Sequence, residues 1–359
     1  MSAVLETETP IVGEFAGATP HRRSLKAVLF QGSSWTMAEY GLSQVLRLLS
    51  NVALASLLND PAIFGINLIL MVFMQALDMF SDLGLGQSVV QSKRGDDPRF
   101  LNTAWTIQVM RGFAFSLAAV LLAWPASMAY QNYPALLYVL PVAGLAGIIG
   151  GFNSMNLFVL HRHVRLGRLA IINIGTQAIA IVATLIFAYY SKTVWALIAG
   201  ALFSNLVKCV ASHLLCPGPR SRFAWDSTAT HELFHFGKWI FFSTLFGFLA
   251  SRGDQLLMGW YMTADMFGTY AMAILLAQAV GFGMHQISQR VLFPLYARIA
   301  TDDPQRLRAQ TLRVRAVLMA LSVPPVCVLV IWGQEIVGLI YPDTFRNAGW
   351  MLQILAAGG

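Results

Sequence analysis

Arg47, Arg111 and Arg252 each stand inside a long apolar stretch of this 359-residue chain. A guanidinium deep in an apolar helix costs about 2.5–3.5 kcal/mol to insert into a bilayer, so each of the three needs a wet cavity or a partner. Two readings fit. The planar fork of donors matches the oxygens of a phosphate or diphosphate, with Gln75, Gln278 and Arg290 as further cavity lining. The alternative is an ion pair that locks neighbouring helices together. Lys208, close to a helix end, is read as snorkelling to the interface. The acids in comparable positions are Glu39, Asp78, Asp82 and Asp254. Asp78 and Asp82 are four apart, so one continuous helix places them on one face, where two charged carboxylates repel. They are read as a proton- or sodium-responsive site or as one side of a structural clasp with Arg111; Glu39, Asp254 and His285 complete the coupling or gating candidates.

Two further patterns carry chemistry. His285, Gln286, Gln289 and Arg290 fall one helical turn apart in pairs and form one polar stripe, which suits a substrate portal or an interfacial helix terminus. His231-Glu232-Leu233-Phe234-His235 matches H-E-x-x-H, which on a helix sets two metal-ligating histidines beside a general base. It sits in a basic connection with no identifiable third ligand, so a membrane metalloprotease is carried only as an alternative, and no catalytic residue and no metal site are expected. Gly84 and Gly86 follow no strand and are no dinucleotide loop, and Cys209, Cys216 and Cys327 lack disulfide or metal spacing.

The elements that must hold these residues follow from hydropathy and charge. A mean hydropathy of +0.61, with 57% hydrophobic and 11% charged residues, leaves too little polar surface to cover a soluble globule of this size. Apolar stretches at 31–58, 63–90, 101–124, 136–158, 168–190, 193–215, 237–259, 265–293, 314–333 and 346–359 predict an all-α integral membrane protein. Of 24 lysines and arginines, seventeen lie in alternate connections: Arg22, Arg23 and Lys26; Lys93, Arg94 and Arg99; Arg162, Arg165 and Arg168; Arg220, Arg222 and Lys238; and Arg298, Arg306, Arg308, Arg313 and Arg315. Positive loops resist translocation, so this sorting predicts a cytoplasmic N-terminus and explains the net charge of +7 without nucleic acid. Ala143, Gly147 and Gly151 make a small-residue face suited to close helix packing.

An internal repeat sets the architecture. Asn51 to Gly65 reads NVALASLLNDPAIFG, and 203 positions later Asp254 to Gly268 reads DQLLMGWYMTADMFG; the register continues, with Gln75 on Gln278, Asp82 on His285 and Gln87 on Arg290. Six spans separate the copies, so both begin on the same side of the membrane. The expected plan is two parallel lobes related by a pseudo-two-fold axis along the membrane normal, with a site between them. The divisions are 1–25, a cytoplasmic arm; 26–222, a six-helix lobe; and 223–359, about four helices of a second lobe that is incomplete in this chain.

Four segments in order, FGINLILMVFMQALDMFSDLGLGQSVVQ (64–91), RGDQLLMGWYMTADMFGTYAMA (252–273), RVLFPLYARIATD (290–302) and IVGLIYPDTFRNAGWMLQILAAGG (336–359), resemble the Wzx-like lipid-linked oligosaccharide flippases of the multidrug/oligosaccharidyl-lipid/polysaccharide exporter superfamily. The resemblance implies a non-enzymatic polysaccharide-biosynthesis transporter of the bacterial inner membrane. It would move an undecaprenyl-diphosphate-linked glycan by alternating access between lobes, with no cofactor and with coupling to protons or sodium. The implied partners are the lipid-linked glycan, membrane lipids, a polysaccharide polymerase and glycosyltransferases. A drug/cation antiporter shares the same two-lobe plan and would favour an acid- and aromatic-lined cleft over an arginine-lined one. A structural membrane subunit of a glycan assembly complex is a further alternative.

Overall fold

The structure, a computed structural model, describes residues 25–82, 84–163, 166–216, 218–287 and 304–358. These form α1 (Leu25–Leu58), α2 (Pro61–Ser81), α3 (Leu85–Gln91), α4 (Pro98–Ala129), α5 (Leu136–Gly151), α6 (Asn156–Arg162), α7 (Leu166–Tyr190), α8 (Val194–Leu214), α9 (Ser227–Tyr261), α10 (Ala264–Ile287), α11 (Pro304–Ile340) and α12 (Ala348–Gly358). The fold is an all-α membrane protein. Six described helices, within α1, α2, α4, α7, α8 and α11, are long and apolar enough to cross a bilayer, and α5 with α6 makes a bent seventh. Large apolar side chains face outward, as a hydrocarbon solvent allows: on α4, Leu117, Leu121 and Trp124 are 60%, 67% and 62% exposed.

Two of the expected spans are broken. The stretch 63–90 divides at Ser81, where Asp82 turns extended (φ −71°, ψ 114°) and its Oδ1 accepts a hydrogen bond from Gly84 N at 2.9 Å. Gly84 is left-handed at φ 63°, a conformation that costs glycine nothing, and α3 starts after it. The stretch 136–158 divides into α5 and α6, bent by 62°. Here Gln108 of α4 donates from Nε2 to the carbonyls of Gly150, Gly151 and Asn153 at 3.3, 3.0 and 3.0 Å, so the freed helix end is satisfied within the protein. The ninth stretch belongs to the longer α11, which kinks at Trp332 (φ −108°, ψ 19°).

The small-residue face of α5 packs on α4 as its composition predicts. A Cβ on Gly112 would collide with the Gly147 carbonyl, and Gly151 lies against the backbone of Gln108, Val109 and Gly112.

The repeat copies meet along α2 and α10, and the meeting is reciprocal. A Cβ on Gly65 would strike the Ala264 carbonyl oxygen, and one on Gly268 would strike the Pro61 carbonyl oxygen. Pro61 and Ala264 are themselves 203 positions apart, so each element of the contact has its counterpart, as a two-fold relation requires. The caps repeat as well: Asp60 Oδ1 accepts from Ala62 N at 2.9 Å, and Thr263 Oγ1, 203 positions on, accepts from Met266 N at 3.4 Å. Around this seam lies the main core, including Ile69, Tyr133, Leu136, Phe267, Phe345 and Leu352. The turn after α4 is stitched to the end of α9, since Asn132 Nδ2 and Tyr133 OH both donate to the Met262 carbonyl, at 3.1 and 3.2 Å.

The connection between the copies is an extended strap laid on α4. The backbone N–H groups of Arg222, Ala224 and Asp226 donate to Asn102 Oδ1, Thr106 Oγ1 and Thr103 Oγ1 at 3.0, 3.1 and 3.1 Å, and Phe223 packs on Trp105 with centroids 4.8 Å apart. Asp226 then caps α9 through Thr228 N at 2.9 Å and pairs with Arg94 at 2.8 Å.

Candidate functional site

Within the first copy, α2 and α4 through α8 enclose a cavity of about 810 Å³. Its polar lining recurs at helical spacing. Asn67, Gln75 and Asp78 share one face of α2, Gln108 and Arg111 are one turn apart on α4, and Asn205 and Lys208 are one turn apart on α8. Asn153 at the α5–α6 break, His161 on α6 and Asn173 on α7 complete it, with Arg252 of α9 as the described contribution from the second copy. The apolar remainder includes Met71, Met74, Phe115, Phe158 and Leu202.

The two arginines that line this cavity are held differently. Arg111 donates from Nε to Ser81 Oγ and from Nη2 to the Asp78 carbonyl, each at 3.1 Å, and its Nη2 also closes an ion pair with the Asp78 carboxylate. Arg252 has neutral partners, donating from Nε to Gln75 Oε1 at 2.8 Å and from Nη1 to Gln255 Oε1 at 3.1 Å. Gln255 is 1% exposed, so Arg252 is braced against the protein interior while its charge stays unneutralised by any carboxylate among the described residues. Three cations, Arg111, Arg252 and Lys208, thus face one carboxylate, Asp78, among the described lining residues. A concave, largely apolar site with an excess of fixed positive donors is suited to an anion.

The other sequence candidates fall elsewhere. Arg47 is exposed on α1 and outside this cavity, where its carbonyl accepts from Asn51 Nδ2 at 2.8 Å. Asp82 is beyond the end of α2, so it does not share a helix face with Asp78; its carboxylate builds the turn to Gly84. Glu39 ties α1 to α7, accepting from Asn173 Nδ2 at 2.8 Å, and Asp254 accepts from Tyr270 OH at 3.3 Å. Gln278 is half-buried on α10 outside the cavity. The side chains of His285 and of His231 through His235, and Arg290 altogether, lie outside the described residues. Among the described residues the space lies mostly within the first copy, with Arg252 reaching it from the second. The copies press together at Gly65 and Gly268, and glycines of α4 and α5 form one wall of the space. Lys208, read from the sequence as an interfacial cation, lines that space too.

A second charged cluster closes the connections at one end of the same helices. Arg162 Nη1 donates to the carbonyls of Val89, Val90 and Ser92, and its Nε pairs with Asp96 at 3.1 Å. The His163 hydrogen bond, followed by Arg162, holds the Asp96 carboxyl below the usual carboxylate range. Asp97 is likewise lowered, first by the Arg99 backbone N–H that it caps and then by Arg94.

The fold and the cavity define a class: a multi-pass helical membrane protein with an internal sequence repeat and a cation-rich polar chamber. Residues 53–348 match the family described as polysaccharide biosynthesis protein, and the chain belongs to that family. It is 22% identical over 343 residues to the lipopolysaccharide biosynthesis protein WzxC of Escherichia coli (strain K12), covering 94% of this chain and 68% of that protein. It is 26% identical over 262 residues to the amylovoran biosynthesis protein AmsL of Erwinia amylovora, covering 72% and 66%. To the teichuronic acid biosynthesis protein TuaB of Bacillus subtilis (strain 168) it is 20% identical over 285 residues, covering 77% and 57%. The matched part of the chain therefore spans 57–68% of the length of these relatives.

Proposed function

We propose that this protein is a non-enzymatic transporter that carries an undecaprenyl-diphosphate-linked oligosaccharide or polysaccharide precursor across the bacterial inner membrane by alternating access. The observation that carries the reading is the charge balance of the cavity among the described residues, three cations against Asp78, with Arg252 held there by neutral amides alone. A diphosphate supplies the missing negative charge, and guanidinium forks fit its oxygens two at a time. The same balance weighs against a drug/cation antiporter, whose ligand the excess positive charge repels. Membership of the polysaccharide biosynthesis family supports a glycan-linked cargo. A lipid carrier leaves its hydrocarbon tail in the bilayer, so the protein needs to shelter only the headgroup. Protons or sodium are the proposed coupling ions, with a polysaccharide polymerase and glycosyltransferases as the partners that supply or consume the cargo.

The test uses the protein with Arg111→Ala and Arg252→Ala, singly and together, reconstituted into liposomes loaded with fluorescent lipid-linked glycan. The Arg252→Ala flux is expected to fall by about tenfold or more, the scale of a charged hydrogen bond worth about 1.5–3 kcal/mol. An unaltered rate in the double variant, at normal insertion, removes the cationic-cavity mechanism.

A further inference from the structure

The cations of the cavity have a role in the function proposed above; its amides do not. Gln75 is committed to Arg252. In three others the orientation of the amide is fixed, because the partner can only accept. Gln108 turns its NH2 to three carbonyls, Asn173 turns its own to the Glu39 carboxylate at 2.8 Å, and Asn205 turns its own to the Ala201 carbonyl at 2.9 Å. Each NH2 is turned to the protein, wholly in Gln108 and by one of its two N–H groups in Asn173 and Asn205, and each amide oxygen is left without a protein donor among the described residues. Asn153 adds a fourth: it lines the cavity while its Oδ1, turned away from solvent in the ligand-free chain, receives no hydrogen bond, so rotation of the amide towards a ligand donor breaks no bond of that oxygen.

We infer that these four oxygens form an acceptor wall that recognises the hydroxyl groups of a sugar, beside the anion site at Arg111 and Arg252. The inference rests on the anionic reading of the same cavity and deepens it. Amide oxygens repel phosphate oxygens, so the phosphate belongs with the guanidinium groups and the wall takes a neutral, donor-rich moiety. Gln108 and Arg111 are one turn apart on α4, so the two subsites adjoin as a sugar and its 1-phosphate do. Lys208 and His161, on the wall side, donate to the oxygens that a sugar also presents. A site built to accept from hydroxyls rejects an analogue that lacks them, because its own acceptors are then left unpaired.

The experiment titrates the full chain in nanodiscs with inorganic phosphate, glucose 1-phosphate and the 2-, 3-, 4- and 6-deoxy forms of that sugar phosphate. Glucose 1-phosphate should bind about tenfold tighter than phosphate, and at least two deoxy forms should lose most of that advantage. Asn153→Leu combined with Asn205→Leu should abolish the preference while phosphate affinity stays. Asn153→Leu alone should not lower the melting temperature of the ligand-free protein, since its oxygen has no bond to lose. Equal binding of phosphate and glucose 1-phosphate, or indifference to every deoxy change, overturns the acceptor wall and leaves the anion site standing. Saturable binding of none of these phosphates overturns the anion reading and the wall with it. The deoxy series decides the matter on the unaltered protein even if a variant fails to accumulate.

Discussion

Arg111 and Arg252 are the same residue in two electrostatic situations. Arg111 is clasped by Asp78 and Ser81, and because its side chain is 22% exposed against 69% for Asp78, removing the acid leaves the less accessible charge without its partner. Asp78→Ala and Arg111→Ala should each lower the thermal midpoint of the detergent-solubilised protein. The double variant should lose less than the sum, with a coupling on the order of 0.5–3 kcal/mol. Strict additivity removes the clasp. Arg252 has no such acid among its partners, and its substitution should be read in ligand binding more than in stability. The Asp78–Arg111 pairing was legible in the sequence because a carboxylate and a guanidinium on successive apolar segments have few other partners. The position of Arg47 was not, since hydropathy identifies a buried-looking charge without saying which side of its helix meets the cavity. The amides were missed for a related reason: Asn67, Asn173 and Asn205 are uncharged and interrupt the apolar runs too briefly to register, although the helical spacing of Asn67 from Asp78 and of Asn205 from Lys208 carried the signal.

At the scale of elements, the broken helices decide the shape of the cavity. Composition reads 63–90 and 136–158 as continuous because a few glycines and two aspartates barely alter average hydropathy, while Asp82 bonding to Gly84 N is a local event that an average conceals. Long helices, the glycine seam of α4 with α5 and the repeat were all legible, since each is a periodic property of many residues. The α5–α6 bend depends on Gln108, 42 residues before the carbonyl of Gly150 that it caps, and no local pattern announces that. Gln108→Leu should therefore destabilise the fold by about 1–3 kcal/mol through orphaned carbonyls, and Gln108→Glu should be worse, because a carboxylate cannot donate and repels them. Thermal melts of the two variants in one detergent give the order. A Glu variant as stable as the parent would show that the cap does not hold the bend.

For the whole molecule, the charge sorting and the strap make a topological statement. With the native cysteines Cys209, Cys216 and Cys327 replaced, a cysteine placed at Ser92 or Ser221 should react with an impermeant maleimide in inverted vesicles and not from outside intact cells. Labelling from outside would reverse the orientation. The strap pins the start of α9 to α4, so the connection between the copies is a bound segment rather than a loose tether. The contact of Gly65 with Ala264 and of Gly268 with Pro61 has a hereditary meaning. In a single-copy ancestor paired about the same axis, one codon would supply both halves of that contact, and each change there would count twice. Fusion into one chain lets the copies drift apart in sequence. At this seam each copy still meets the other through its own counterpart positions, and their histories stay tied.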